Sequence, residues 1–251
     1  MWLLFYKVWL RNASVWRKHV RASLIGNLGQ PFLFLLAMGF GLGRQIPQIE
    51  GVTYLQFIGP GLVASAVMYS GSFETMYGSY TRLTTQRTYE AILMTPVSVE
   101  ELALGEIIWA ATKGILSGLI MLAALPLFGL IPSPWILALI PMLFLEGILF
   151  ASLGLIMTAL ASDYEFFNYF TSLFITPLFL FSGIFFSISA MNPVIQKISL
   201  ALPLTHAVNL SRMLCYGRIG PDWPIHVLVI IILSVFCAWI AIVLIRRRLI
   251  L

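Results

Sequence analysis

This sequence predicts an all-α membrane protein with six transmembrane helices. Of its 251 residues 60% are hydrophobic and only 10% are charged, the mean hydropathy is +0.95, and the apolar residues gather in six long stretches. A soluble domain carries about 25% charged residues, so the soluble classes are excluded. Two cysteines, Cys237 in an apolar stretch and Cys215 in a polar connection, do not make a disulfide scaffold. The stretches run over about 24–42, 54–78, 102–130, 135–160, 167–187 and 225–245. Each approaches or exceeds the ~20 residues that a helix needs to cross a hydrocarbon core of ~30 Å.

Ahead of the first stretch, residues 1–22 predict an interfacial amphipathic helix. On a helical wheel Trp2, Phe5, Trp9 and Trp16 fall within about 60° of one another. Lys7, Arg11, Ser14 and Lys18 occupy the opposite arc. Tryptophans are expected to face lipid and cations to face anionic head groups. A secretory signal is not expected, because the charges interleave with the apolar residues and no small-residue cleavage site occurs.

The second and third stretches are separated by a polar island, Tyr80 to Glu101. Arg82, Gln86, Arg87 and Glu90 give it a wet face, and Tyr89, Ile92, Leu93 and Met94 an apolar one. Pro96 stops it, because proline disfavours helix at the preceding residue. Ser98-Val-Glu-Glu101 is a capping box that launches the next helix, with Glu100 and Glu101 at its positive end. The pattern predicts a short helix over about 82–96 that docks on another protein, with Arg87, Tyr89, Glu90, Ile92, Leu93 and Met94 as the contact residues.

Lysine and arginine set the orientation. The N-terminus, the island and the C-terminus (Arg246, Arg247, Arg248) hold ten of them, against four at Arg44, Lys197, Arg212 and Arg218 on the other side. This bias puts both termini and the island in the cytoplasm. It also accounts for the net charge of +5 without a nucleic-acid partner. A seventh crossing at Val194–Leu210 is the rival reading. Its Lys197, Pro203, His206 and Asn209 instead suit two short helices within an outer re-entrant segment, about 188–224, which needs protein or a water-filled cavity around it. Residues 23–251 then form one six-span domain.

No catalytic or metal-binding constellation emerges. A phosphate-binding loop needs Gly-Lys-Ser/Thr, and the four lysines follow Tyr6, Arg17, Thr112 and Gln196. His19, His206 and His226 are read as surface residues. No nucleophile–base pair for intramembrane proteolysis occurs. The chain is expected not to be an enzyme by itself.

Ionisable residues inside spans default to function. Glu74 and Glu106 are placed near the cytoplasmic helix ends, at solvated positions. Lys113 lies about 18 Å into the third stretch and Glu146 about 17 Å into the antiparallel fourth. They differ in depth by only about 5 Å in a ~30 Å core, so a buried Lys113–Glu146 pair is expected. Gly114-Ile-Leu-Ser-Gly118 permits close helix approach. The fifth stretch holds nine aromatics between Phe166 and Phe186, and Phe170, Phe174 and Phe181 are candidates to line a pathway.

Several segments together resemble a family. Gln86-Arg-Thr-Tyr-Glu-Ala-Ile-Leu-Met-Thr-Pro-Val-Ser98, Leu104-Gly-Glu-Ile-Ile-Trp-Ala-Ala-Thr-Lys113 and Phe150-Ala-Ser-Leu-Gly154 are similar to the type 2 ABC-transporter permeases, and among them to the nodulation-factor exporter permeases, the nodulation protein J family. Asp163-Tyr-Glu-Phe-Phe167, Ile175-Thr-Pro-Leu-Phe-Leu-Phe-Ser-Gly183, Leu202-Pro-Leu-Thr-His206 and Arg246-Arg-Arg-Leu249 continue the likeness over about residues 20 to 250. The resemblance implies an N-terminal elbow helix, a cytosolic coupling helix, outer re-entrant helices and residence in a bacterial inner membrane. It further implies a homodimer on two copies of a separate ATPase subunit, which would bind ATP and Mg, while this chain carries no cofactor. Export of a lipid-linked or glycan substrate follows from the same likeness. The alternatives are a multidrug or phospholipid efflux permease of the same class, and an ATP-independent secondary transporter. For the last, neither inverted repeats nor paired broken helices are found.

Overall fold

A chain that must satisfy every backbone amide away from water has helix as its simplest solution. The computed structural model describes residues 4–46, 48–130 and 133–250, and the side chains of all of these except 21–28, 30 and 44. The described residues form α-helices joined by short 3₁₀ and π turns, with no β-sheet among them. In chain order the helices are α1 (Phe5–Trp16), α2 (Val20–Gly41), α3 (Tyr54–Phe73), α4 (Tyr80–Leu83), α5 (Thr88–Leu93) and α6 (Val99–Ala124). They continue with α7 (Ile136–Leu160), α8 (Phe166–Phe170), α9 (Thr176–Phe181), α10 (Pro193–Ala201), α11 (Pro203–Tyr216) and α12 (Trp223–Ile250).

Three helical segments among the described residues are long and apolar enough to cross a membrane: Val99–Phe128, Ile136–Leu160 and Trp223–Ile250. Pro31–Gly41 and Phe166–Phe181 are shorter apolar segments. α3 is the innermost helix, packed against α2, α6, α7 and α11. Its burial explains its mixed composition. A helix walled by protein gains nothing from uniform hydropathy, so Ser65, Ser70 and Ser72 sit fully buried beside Leu62, Val63 and Val67. α12 packs along α7 and leaves a wide apolar face exposed, including Leu228, Val235, Phe236 and Trp239.

Caps and breaks fall where the side chains dictate. Thr53 opens α3 and Ser98 opens α6, each through a reciprocal capping box, with Gln56 and Glu101 respectively. Glu101 also accepts from the backbone N–H of Leu4 at 3.3 Å, tying the start of α1 to the start of α6. The chain between Val194 and Leu210 is not one helix. It breaks at Leu202, held extended ahead of Pro203, leaving two helices of 9 and 14 residues.

Both ends of the bundle are identifiable from contacts. At one end lie α1, the island, the 161–166 turn and the last residues of α12. Arg246 pairs with Glu100 at 3.0 Å, and Arg248 donates to the carbonyls of Thr158 and Ala161, both at 2.6 Å. At the other end lie the 3₁₀ turn Leu42–Arg44, the start of α3, α10, α11 and the start of α12. There Tyr216 Oη donates to the Gln56 carbonyl at 2.6 Å, and Ser187 donates to Glu50.

Close approach of α7 to the end of α3 depends on Gly154. A Cβ there would stand 2.6 Å from the Ser72 carbonyl oxygen and 2.2 Å from Thr75 Oγ1. Because the nearest obstacle is partly backbone, the helices must separate. Gly154→Ala is therefore expected to lower stability in detergent by about 1–3 kcal/mol. Gly41→Ala, where no atom lies within 4 Å, is expected to be nearly neutral. Thermal unfolding of the two variants checks the contrast.

Candidate functional site

The π turn Glu74–Ser79 at the end of α3 widens the helix by one residue, a feature that often re-aims side chains at functional sites. It turns Glu74 toward α6 and Ser79 toward Glu106. Arg82, one turn later on α4, reaches back between them. Its Nη2 donates to Glu106 Oε2 at 2.6 Å and to Glu74 Oε1 at 3.1 Å. On α6, Lys113 Nζ donates to Glu74 Oε2 at 2.6 Å and Trp109 Nε1 to Glu74 Oε1 at 2.9 Å. Glu106, fully buried, also accepts from Ser79 Oγ at 2.7 Å and from Asn12 Nδ2 of α1 at 2.8 Å. Two carboxylates and two cations thus neutralise one another across α3, α4 and α6.

Burial works against the charge on Arg82, but Glu106 and then Glu74 more than offset it, and its guanidinium is held above its ordinary range. Arg11 is pulled the other way, by burial first and then by repulsion from Arg82. Arg11 donates to Asn12 Oδ1 at 2.9 Å and to Thr88 Oγ1 of α5 at 3.4 Å. A cavity of about 270 Å³ opens beside the cluster, bordered by Asn12, Trp16, Glu74, Arg82, Gln86 and Trp109. The carboxylate that Ser79 Oγ meets is already engaged by Arg82 and Asn12. The arrangement is suited to transmitting movement between the island and three helices.

Several expectations are corrected here. Lys113 and Glu146 do not pair: Lys113 bonds Glu74, and Glu146 is buried with Oε1 lacking a hydrogen-bond partner. The reason is directional. Side chains lean toward the N-terminus of their helix, and α6 and α7 run antiparallel, so Lys113 leans toward the island while Glu146 leans away from it. Depth alone, the basis of the expected pair, ignores this lean. Glu74 and Glu106 are not solvated, because Arg82, expected on a wet face, turns inward to meet them. The tryptophans of α1 do not all face lipid. Trp9 Nε1 donates to Thr112 Oγ1 at 3.1 Å, and Trp9 and Trp16 both pack edge-on against Trp109. Trp2 lies outside the described residues.

Among the six docking residues expected on the island, the structure divides the set. Tyr89 is fully buried and faces the charge cluster, so it does not reach a partner. Ile92 and Leu93 are half-buried, while Arg87, Glu90 and Met94 are exposed, Met94 at 89%. Arg87 adopts the left-handed region, φ +49°, a conformation that costs a non-glycine residue roughly 1–2 kcal/mol. Of the aromatic candidates, Phe170 and Phe174 stack at 5.0 Å against the core, while Phe181 is exposed apart from them. His206 and His226 are buried, 7% and 5% exposed, against the expectation of surface positions. The Glu106–Trp109–Lys113 spacing, one face of a helix over two turns, is a sequence signal that could have found the cluster but was not used.

Double-mutant cycles test this assignment. Removing one partner of a buried ion pair costs about 3–5 kcal/mol. Lys113→Met and Glu74→Gln are expected to couple, so that the double variant loses less stability than the two single losses combined. Lys113→Met and Glu146→Gln are expected to add, as separate sites do. Thermal unfolding in detergent reads both; coupling in the second cycle would restore the rejected pair.

Comparison with known proteins agrees with this architecture. The profile of the ABC-2 type transporter family matches residues 3–216. The chain is 36% identical over 242 residues to nodulation protein J of Sinorhizobium fredii, covering 96% of this chain and 92% of the relative. It is 37% identical to nodulation protein J of Bradyrhizobium diazoefficiens over the same shares. It is 25% identical over 227 residues to the inner membrane transport permease YadH of Escherichia coli, covering 86% of each chain. The chain belongs to the ABC-2 type transporter family, as a transport permease of the membrane.

Proposed function

We propose that this chain is the membrane half of an ATP-driven exporter, working as a homodimer on two copies of a cytosolic ATPase subunit that binds ATP and Mg. The carrying observation is the position of α5. It presents Met94 and Glu90 outward while its buried Tyr89 rests on the Glu74–Arg82–Glu106–Lys113 cluster. A force applied to Met94 therefore reaches α3, α6 and, through Asn12, α1. In this reading α5 is the coupling helix, α1 the elbow, and α10 with α11 the outer re-entrant pair. Six helical segments cross the inner membrane, built on α2, α3, α6, α7, α8–α9 and α12, and both termini are cytoplasmic.

The groove of about 300 Å³ between α1 and α5, bordered by Lys7, Arg11, Ala91, Ile92 and Thr95, extends the docking surface beyond the island. The ATPase is expected to seat Met94 in an apolar pocket, in a helix-in-groove contact. Glu90 and Arg87 fix the register.

The substrate is read as amphipathic, a lipid-linked or glycan molecule of lipo-oligosaccharide type. The face of α8 and α9 supports this. Asn168, Ser172 and Thr176 are exposed at every fourth position beside exposed Tyr169, Leu173 and Phe181. Lipid tails do not reward exposed hydroxyls at such depth, whereas a second protomer or a sugar-bearing substrate does. The stacked Phe170 and Phe174 back this face.

Four outcomes are expected. The chain reconstituted alone should hydrolyse no ATP, and intrinsic hydrolysis would overturn the proposal. Met94→Asp should abolish transport or release the ATPase while the protein still inserts, since truncating a central anchor often costs about 2 kcal/mol or more. Arg87→Gly removes the side chain and relieves the left-handed backbone, so it should stabilise the fold while weakening the ATPase contact. Finally, a photoreactive residue at 173 or 181 should capture substrate or the second protomer in a nucleotide-dependent way. Capture of bulk phospholipid alone would return that face to the lipid.

A further inference from the structure

At the end of the bundle opposite the island, the two buried histidines face each other across α11 and α12. His206 Nδ1 and His226 Nδ1 are 2.7 Å apart. The outer nitrogens are also engaged: His206 Nε2 stands 3.0 Å from the Leu200 carbonyl oxygen of α10, and His226 Nε2 stands 3.1 Å from Asp222 Oδ2. A cavity of about 700 Å³ with otherwise apolar walls, among them Leu200, Ile225 and Val229, opens onto His206, His226 and Asp222.

Counting ring protons decides what this chain of contacts is. A carbonyl and a carboxylate only accept, so His206 Nε2 and His226 Nε2 must both carry protons. The contact between the two Nδ1 atoms needs a third. Two neutral imidazoles bring only two protons between them. With two, one of the three contacts becomes lone pair against lone pair at hydrogen-bonding distance, and it opens. With three, every contact is made. His206 is the neutral partner, accepting at Nδ1, since burial and then the neighbouring His226 hold its imidazole below the usual histidine range. The third proton sits on the His226 side, next to the carboxylate.

We propose that His206, His226 and Asp222 form a one-proton latch that fastens α10 and α11 to α12 when the pair is protonated and frees them when it is not. A metal does not explain the geometry as well. Two imidazole nitrogens bound to one tetrahedral zinc at ~2.0–2.1 Å stand about 3.3 Å apart, farther than observed. Other charges on the packed elements do not substitute for the proton. Arg212 of α11 is turned to Phe57 and to the Gly183 carbonyl, and Lys197 of α10 and Arg218 are exposed. Glu146 of α7 is level with Ser234, whose Oγ donates to the Leu145 carbonyl at 3.0 Å. That is about 12 Å along α12 from His226. Histidine is the side chain whose charge changes between pH 5 and 8, so the latch responds to the compartment that the cavity opens to. Only the identity of that compartment rests on the exporter reading.

The test uses the full chain in lipid vesicles without ATPase, so it succeeds or fails independently of the proposed coupling. With ¹⁵N-histidine only three residues report: His19, His206 and His226. Between pH 5 and 8 the pair should lose a single proton as a unit, with His226 doubly and His206 singly protonated on the acid side. The third contact exists only while this proton is bound. Thermal stability from the latch should therefore be present at low pH and be lost as pH rises through the titration. Asp222→Asn should lower the midpoint by roughly one pH unit, and His19→Gln should leave it unchanged. Two neutral histidines throughout the range in the wild type would overturn the latch, whether or not any variant folds. So would an unshifted midpoint in Asp222→Asn. Stabilisation by zinc that disappears in His206→Gln would overturn it in favour of a metal site.

Discussion

The structure depends on keeping four charges neutral inside an apolar bundle. Glu74, Arg82, Glu106 and Lys113 come from three different elements, and none of them has water enough around it to stand alone. An uncompensated charge at such a site costs several kcal/mol, so the elements that carry the charges cannot move independently without separating them. The electrostatic requirement becomes a mechanical one. The π turn at the end of α3, the reach of Arg82 and the register of α6 are all fixed by where the opposite charges must meet. Because Arg82 belongs to the island and Lys113 to the middle of α6, the cluster spans from the surface to well inside the bundle.

The rest of that end is assembled around it. Asn12 is buried and donates to Glu106, and this bond joins Leu4–Glu101 and Trp9–Thr112 in holding α1 on α6. Trp9 and Trp16 then close over Trp109. Close packing completes the dock: a Cβ at Gly105 would lie 2.8 Å from the Phe5 carbonyl, so α1 lies against α6 backbone to backbone. The amphipathic character of α1 thus serves protein contact on the face read as lipid-directed. Tyr89 plays the corresponding part for α5, filling the space above Glu106 and leaving only the far side of the island for a partner.

Much of the architecture was legible in the sequence. Apolar run length and the Ser98–Glu101 box sufficed to start α6, since these features act within one or two turns, whereas the helix expected over about 82–96 is shortened to α5 because the chain turns left-handed at Arg87. The break at Leu202 followed from Pro203, which acts equally locally. Partnerships between helices were less legible, because they depend on side-chain direction and on the π turn, which composition does not encode. Lys113 was assigned the wrong carboxylate on depth, and Arg82 was given to solvent because its neighbours in sequence are polar. The histidines were read as surface residues because an isolated histidine in a polar connection gives no sign of a second one meeting it from 20 residues away. In each case the missing information was which face of a helix meets which neighbour.

The two ends of the bundle are consequently held by different chemistry. At the island end the cation that joins the two carboxylates is the guanidinium of Arg82, which stays charged at any pH the protein meets. At the other end Arg212 spends its donors on the Gly183 and Ile184 carbonyls and its face on Phe57, capping the end of α9. There the fastening of α11 to α12 falls to imidazoles, which do change state. The two ends therefore differ in whether their fastening depends on pH. Arg82 supplies a fixed charge at the first end, and the proposed contact between His206 and His226 supplies a titratable one at the second.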